Sequence, residues 1–197
     1  DSWNEDGESV RNVEGELVCK KTFPSCPIYF LDDENKKKIS DAYFKKYKNV
    51  WHHGDFITIN DRGGVIVHGR SDATLNPGGV RIGTSEIYQQ TELIPYIADS
   101  ICVGRSVEGD VEVVLFVKMS ADESLTDERI EEIKNTIRTK TTPRHVPKEI
   151  SVVSDIPYTR SGKKMELAVS RILQGKDLTN IEAVSNPDCL KYFKMNS

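Results

Sequence analysis

Cysteine is scarce in this chain: 197 residues contain four, Cys19, Cys26, Cys102 and Cys189. They lie far apart, with no CxxC pair and no Cys/His cluster at ligand spacing, which argues against a zinc module or a disulfide scaffold and fits a reducing compartment. Long apolar runs are also missing. No stretch approaches the roughly 18 residues of a membrane-spanning helix. Nor is there a basic excess, since 27 Lys and Arg face 31 Asp and Glu, so composition gives no reason to expect a nucleic-acid surface. With 37% hydrophobic and 29% charged residues, the composition is that of an ordinary globular protein. The opening DSWNEDGE is acidic, the opposite of a targeting peptide, and the expected location is the cytosol. Because the chain opens inside a turn-like stretch without a methionine, it reads as a piece of a longer protein.

What is present is organised around GRSDATLNPGGVRIGTSEIY, Gly69 to Tyr88. The glycine pair and Asn-Pro mark a tight turn, Thr84-Ser85-Glu86 reads as a helix start capped by Thr84, and a strand precedes Gly69. The order is strand, bend, hairpin, helix. Upstream, Gly15 to Cys19 reads as a short strand, and Asp32 to Lys38 as an exposed turn in which Asp32, Asp33 and Glu34 neutralise Lys36 to Lys38. Tyr43, Phe44 and Tyr47 suggest a packed turn or short helix over Ala42 to Tyr47. FITI and VIVHG are strands of a hairpin joined by Asn60 to Gly64, with Asp55 just before the first and Arg70 just after the second. Their side chains are expected to converge on one rim.

Downstream, strands are expected at Ala98 to Gly104, Val111 to Lys118 and Lys148 to Val153. Helices are expected at Ser85 to Leu93 with Ile87 and Thr91 inward, from Thr126 to about Lys140 with Ile130, Ile133 and Ile137 on one face, and at Met165 to Gln174. Leu190, Tyr192 and Phe193 suggest a docked tail. The fold class is α+β, a small domain with a three-stranded sheet, helices and a hairpin, preceded by a β-rich piece. The joint falls at about Gly69 to Ala73, giving units 1-71 and 72-197.

The side chains able to do chemistry are Asp55, Arg70, Asp72, Arg81 and Lys163, with Gly79 offering close backbone approach. Lys163 stands in TRSGKK, a flexible turn from which an ammonium reaches an anion as a point charge. By base rate alone a lysine there is a solvated surface residue. His52 and His53 read as packing or surface histidines, with no acid or cysteine at ligand spacing, and no metal site is expected. GGVRIG lacks the GxGxxG spacing of a dinucleotide loop.

HGDFITIN, then GRSDATLNPGGVRIGTSEIY, and much later PYTRSGKK resemble three ordered motifs of the adenylate-forming acyl-CoA synthetase superfamily, covering Trp51 to about Arg171. WNEDGE, TPRHVPKEI and SNPDCLKYF are similar to its acetoacetate-activating branch. The resemblance implies an ATP-dependent ligase that makes acetoacetyl-adenylate and pyrophosphate, then transfers the acyl group to CoA as a small C-terminal domain rotates. It implies that Asp55 and Arg70 hold the ribose, Arg81 the nucleotide phosphate and Arg138 the CoA phosphates, while Gly79 lines the pantetheine tunnel. Asp72 would be the hinge and Lys163 the catalytic lysine bridging carboxylate and α-phosphate. Mg²⁺ is expected, with its ligands outside this chain, as are the phosphate loop and acyl pocket; the chain by itself is expected to be inactive. Related enzymes suggest acylating and deacylating enzymes acting on Lys163 as further partners. The alternatives are an acetate or propionate synthetase, or a non-catalytic module of the same fold.

Overall fold

The computed structural model describes residues 1–71, 73–178 and 181–194. The chain divides into two compact units, Asp1–Asp72 and Ala73–Ser197. The first is a four-stranded antiparallel sheet in the order β1 (Ser2–Trp3), β2 (Glu14–Cys19), β3 (Trp51–Ile59), β4 (Val65–Arg70). Helix α1 (Lys37–Tyr43) packs with Ile39 inward, and Val18, Tyr47, Phe56 and Ile57 complete a small core. The expected FITI/VIVHG hairpin is present. Asp55 lies inside β3 rather than before it, because the strand begins four residues earlier.

The charged turn before α1 differs from the expected exposed loop at one residue. Asp33 is buried and accepts the backbone N–H groups of Lys38 (2.8 Å) and Ile39 (2.9 Å), taking the place of an N-cap side chain. Desolvation opposes its ionisation, but the N–H donors of Ile39 and Lys38 and the Lys38 charge outweigh it and hold its pKa below the ordinary value. The helix starts at Lys37 and ends at Tyr43, and the residues after it to Tyr47 form a turn with Tyr47 buried, the turn alternative of the expectation for Ala42 to Tyr47.

The second unit is a three-stranded sheet, β5 (Ile97–Val107), β6 (Asp110–Met119) and β7 (Glu149–Val152), with β6 central. β5 and β6 form an antiparallel hairpin; β7 runs parallel to β6, reached through helix α3 (Asp127–Lys140), since a parallel connection needs a crossover. Both faces of this sheet are covered. Cys102, Val113, Leu115 and Val117 pack on one side with Leu75, Ile82, Ile87, Ile133 and Ile137, the last three from α2 (Thr84–Thr91) and α3. Ile101, Val103, Val114 and Phe116 pack on the other with Val169 of α4 (Glu166–Leu173) and Phe193. Alternation on a strand sends successive side chains to opposite faces, so the unbroken apolar run Val113 to Val117 is what a strand buried on both faces requires.

Thr126 caps α3, accepting Arg129 N–H (3.4 Å) as expected. At α2 the capping residue is Gly83 rather than Thr84. Having no side chain, Gly83 makes only half of a capping box: its own N–H donates to Glu86 Oε1 (3.2 Å). In the tail Leu190 and Phe193 are buried, while Tyr192 stays largely exposed.

Candidate functional site

The β3–β4 register places Asp55 opposite Arg70, with a bulge between Phe56 and Ile57. Arg70 Nε stands 3.8 Å from Asp55 Oδ1, and His53 Nδ1 is 2.6 Å from Asp55 Oδ2, so both carboxylate oxygens face a donor group. Gly54, at φ 85°, lies under the guanidinium; a Cβ there would come within 3.3 Å of Arg70 Nη2. Beside this rim opens a cavity of about 550 Å³ lined by Tyr43, Lys46, His52, His53, Gly54 and Arg70 among others. His52 pairs with the buried Glu16 (2.9 Å), which also takes Lys46. His52 and His53 thus each have an acid partner, Asp55 two positions from His53 and Glu16 far from His52 along the chain. Among the described residues no group of three or more His, Cys, Asp or Glu is placed to hold a metal.

In the second unit, the Asn76 to Arg81 segment is closed into a hairpin by the Leu75↔Ile82 bridge, with hydrogen bonds of 2.9 and 2.8 Å. Gly78 (φ 58°) and Gly79 (φ 78°) make the turn, and a Cβ on either would meet nothing within 4 Å. The turn is pinned by Asp110, whose Oδ1 accepts the N–H of Gly78 (2.8 Å) and of Val111 (2.7 Å). These two donors, Gly78 first, hold the Asp110 carboxyl below its ordinary pKa. Arg81 is exposed beside the fully buried Ile82, which anchors it. At the base of the hairpin, Glu86 Oε2 lies 3.1 Å from Nε2 of the buried His145. Arg138 is exposed on the last turn of α3, bonded to Asn135 (3.1 Å).

Lys163 lies on a hydrogen-bonded hairpin rather than an open flexible turn. Thr159 N–H donates to Lys163 O (2.8 Å), Gly162 N–H to Thr159 O (2.9 Å), and Tyr158 bridges Lys164. Arg160-Ser161-Gly162 form a three-residue loop with Gly162 in the left-handed region (φ 78°), a common hairpin closure. The Lys163 side chain is exposed, and among the described residues its ammonium has no hydrogen-bond or ion-pair partner. Its neighbour Lys164 is tied down, 2.9 Å from Asp99 Oδ1 and 2.7 Å from Ser100 O.

The structure brings Asp55 and Arg70 together in the first unit. It places Gly79, Arg81, Arg138 and Lys163 on the second, Gly79 in the turn of one hairpin and Lys163 next to the loop of another. Asp72 lies outside the described residues. Sequence reasoning missed His53, Gly54, Asp110, Asp99 and Lys164. The HGD triplet held a signal for the first two, while the other three act through contacts that exist only after folding.

Residues 90–163 match the family of AMP-binding enzyme C-terminal domains. The chain is 50% identical to acetoacetyl-coenzyme A synthetase of Rhizobium meliloti (strain 1021) over 98% of its own length and 30% of that protein's. It is also 50% identical to acetoacetyl-CoA synthetase of Caenorhabditis elegans, over 98% of this chain and 28% of the relative. The solved acetoacetyl-CoA synthetase of Streptomyces lividans superposes with a TM-score of 0.89 at 40% identity, covering 98% of this chain and 29% of that one. By these matches the chain is similar along nearly its whole length to acetoacetyl-CoA synthetases, of whose length it spans about 30%, and its residues 90–163 match the AMP-binding enzyme C-terminal domain.

Proposed function

We propose that these residues form the closing section of an AMP-forming ligase that activates acetoacetate with ATP and passes the acyl group to CoA. In this reading Asp1–Asp72 ends a large adenylation domain, and Ala73–Ser197 is a small domain that turns about Asp72. The observation that carries it is Lys163: an exposed ammonium that has no partner among the described residues, on the returning arm of a hydrogen-bonded hairpin, next to its Arg160-Ser161-Gly162 loop. A positive charge held ready and undischarged suits an anionic transition state, because it needs no internal ion pair to be broken first.

The sequence of events follows from charge. Attack of the acetoacetate carboxylate on the α-phosphate gathers negative charge on the phosphoryl oxygens, and Lys163 stabilises both partners. Asp55 accepts the ribose hydroxyls, with Arg70 beside it, and Arg81 meets the nucleotide phosphate as a planar cation. In the second half, the thiol of CoA displaces AMP past Gly79, with Arg138 toward the CoA phosphates. Mg²⁺ is expected to accompany ATP, but the described residues offer no ligand set for it, and no step here runs through it. Acetoacetate is preferred over acetate or propionate because the relatives named above all carry that substrate in their names. A cytosolic enzyme, with Lys163 open to acylating and deacylating enzymes, completes the reading; acylation would remove the charge that only the first half needs.

The test is Lys163→Ala in the full-length protein, with the half-reactions measured separately. Adenylation, followed by pyrophosphate exchange, is expected to fall by about 10²-fold or more. Thioester formation from preformed acetoacetyl-adenylate should stay within about threefold of wild type. Equal loss of both, or no loss of either, overturns the role.

A further inference from the structure

Lys163 and Lys164 are consecutive lysines with opposite surroundings. Lys163 is exposed, whereas the Lys164 side chain is only 16% exposed. Lys164 Nζ lies 2.9 Å from Asp99 Oδ1, donates to Ser100 O at 2.7 Å, and stands 4.2 Å from the centre of the Tyr88 ring. The other oxygen of Asp99 accepts the Tyr158 hydroxyl at 2.8 Å. Tyr158 and Lys164 are the bridged pair at the base of the hairpin, one from each of its arms. Asp99 therefore grips both arms, one with each carboxylate oxygen, from β5. Burial, then the Asp99 carboxylate, pushes the Tyr158 phenol well above its ordinary pKa, so it remains a donor across the physiological range.

Alternation along an extended arm sends Lys164 into the sheet and Lys163 away from it. We propose that Asp99, Lys164 and Tyr158 are positioning residues which fix the reach of Lys163 for adenylation, a role that rests on the proposed catalytic role of Lys163. Without the grip, the hairpin keeps its own turn bonds, the Thr159↔Val184 bridge and the Arg160 N–H to Ala183 O bond (3.1 Å), so it stays attached to the tail. What it loses is the hold on Tyr158 and Lys164, the bridged pair beside Lys163 on the hairpin. Misplacement of a reacting group by about 1 Å can cost about 10²-fold in rate.

The experiment uses full-length Lys164→Met, Lys164→Arg and Tyr158→Phe, with Lys163→Ala in parallel. For Lys164→Met, the adenylation kcat is expected to fall by about 10- to 100-fold with KM for ATP and acetoacetate within about twofold. Thioester formation from preformed acetoacetyl-adenylate should remain within about twofold. Tyr158→Phe, which leaves no charge unpaired, should show a smaller loss of the same kind, and Lys164→Arg should recover most of the adenylation rate. Unchanged rates in folded Lys164→Met and Tyr158→Phe, or equal loss in both half-reactions, overturn the proposal. If Lys164→Met does not fold, Tyr158→Phe decides by the same criteria. Loss of adenylation in Lys163→Ala with wild-type rates in the others leaves the catalytic assignment standing and removes the grip; no loss in Lys163→Ala removes both.

Discussion

At Gly79 the backbone and the space around it make separate demands. Its φ of 78° is a conformation that costs an L-residue about 1–2 kcal/mol, yet an added Cβ would meet nothing within 4 Å among the described residues. Gly79→Ala should therefore lower stability by only about 1 kcal/mol; under the proposed function it should slow thioester formation by more than that figure accounts for, since the methyl would stand in the path assigned to the thiol. Gly79→Asn, which tolerates positive φ better but carries a larger side chain, separates the two: its melting temperature should lie above that of Gly79→Ala, and its thioester rate below. Nearby, the lowered pKa of Asp110 sets the sign of a pH effect. The hydrogen bond to Gly78 is fully present above the ordinary carboxylate pKa and is released only as pH falls through the lower folded value. At this scale, local motifs singled out Lys163 and Gly79, both of which lie on hairpins of the second unit. The sequence was silent on Asp99 and Asp110, whose partners lie 59 and 32 positions away.

Elements were more legible, because periodicity is a local property. The Val111 to Lys118 strand, the Thr126 cap and the spacing of Ile133 and Ile137 are all read from neighbours along the chain, and all three match the structure. The misses lie in what individual side chains bond to rather than in periodicity. Gly83 displaces Thr84 as the cap of α2 because Glu86 is committed to the Gly83 N–H and to His145, which reaches it from 59 residues away. Asp33 is buried because α1 needs its carboxylate, and composition marks it only as one acid in a charged turn. On one of the sheet's two covered faces, the packing includes α2 and α3. Ile137, fully buried there, should cost about 2–5 kcal/mol when changed to Ala, measured by denaturant unfolding, whereas Thr139→Ala on the exposed side should change stability by less than about 0.5 kcal/mol.

For the whole molecule, the sequence expected a joint near Gly69 to Ala73, and the contacts of the folded chain separate into Asp1–Asp72 and Ala73–Ser197. The four thiols give a way to follow the two units. Cys19 and Cys26 are partly exposed, while Cys102 and Cys189 are buried. Burial, with Glu166 adding to it, pushes the Cys102 thiol far up, and burial with Asp155 pushes Cys189 up to about 11. A thiol reagent at neutral pH should modify two cysteines of the native chain quickly and the other two only on unfolding. If 73–197 is an independent domain, it should melt cooperatively when produced alone, and its two thiols should become reactive in that same transition. No helix among the described residues is long and apolar enough to cross a membrane.

The β5–β6 hairpin joins these scales. Asp99, near the start of β5, holds the Lys163 hairpin, and Asp110, at the tight turn that opposes Val107, holds the Gly79 hairpin. Eight strand steps of about 3.3 Å separate Asp99 from Val107, so the strand pair acts as a spacer of about 26 Å between its two cargoes. Under the proposed two-step reaction, one end serves the formation of the adenylate and the other its consumption. The length of the spacer is then fixed twice over. A loop can gain a residue and adapt, but these strands cannot lengthen without moving one chemical step out of phase with the other.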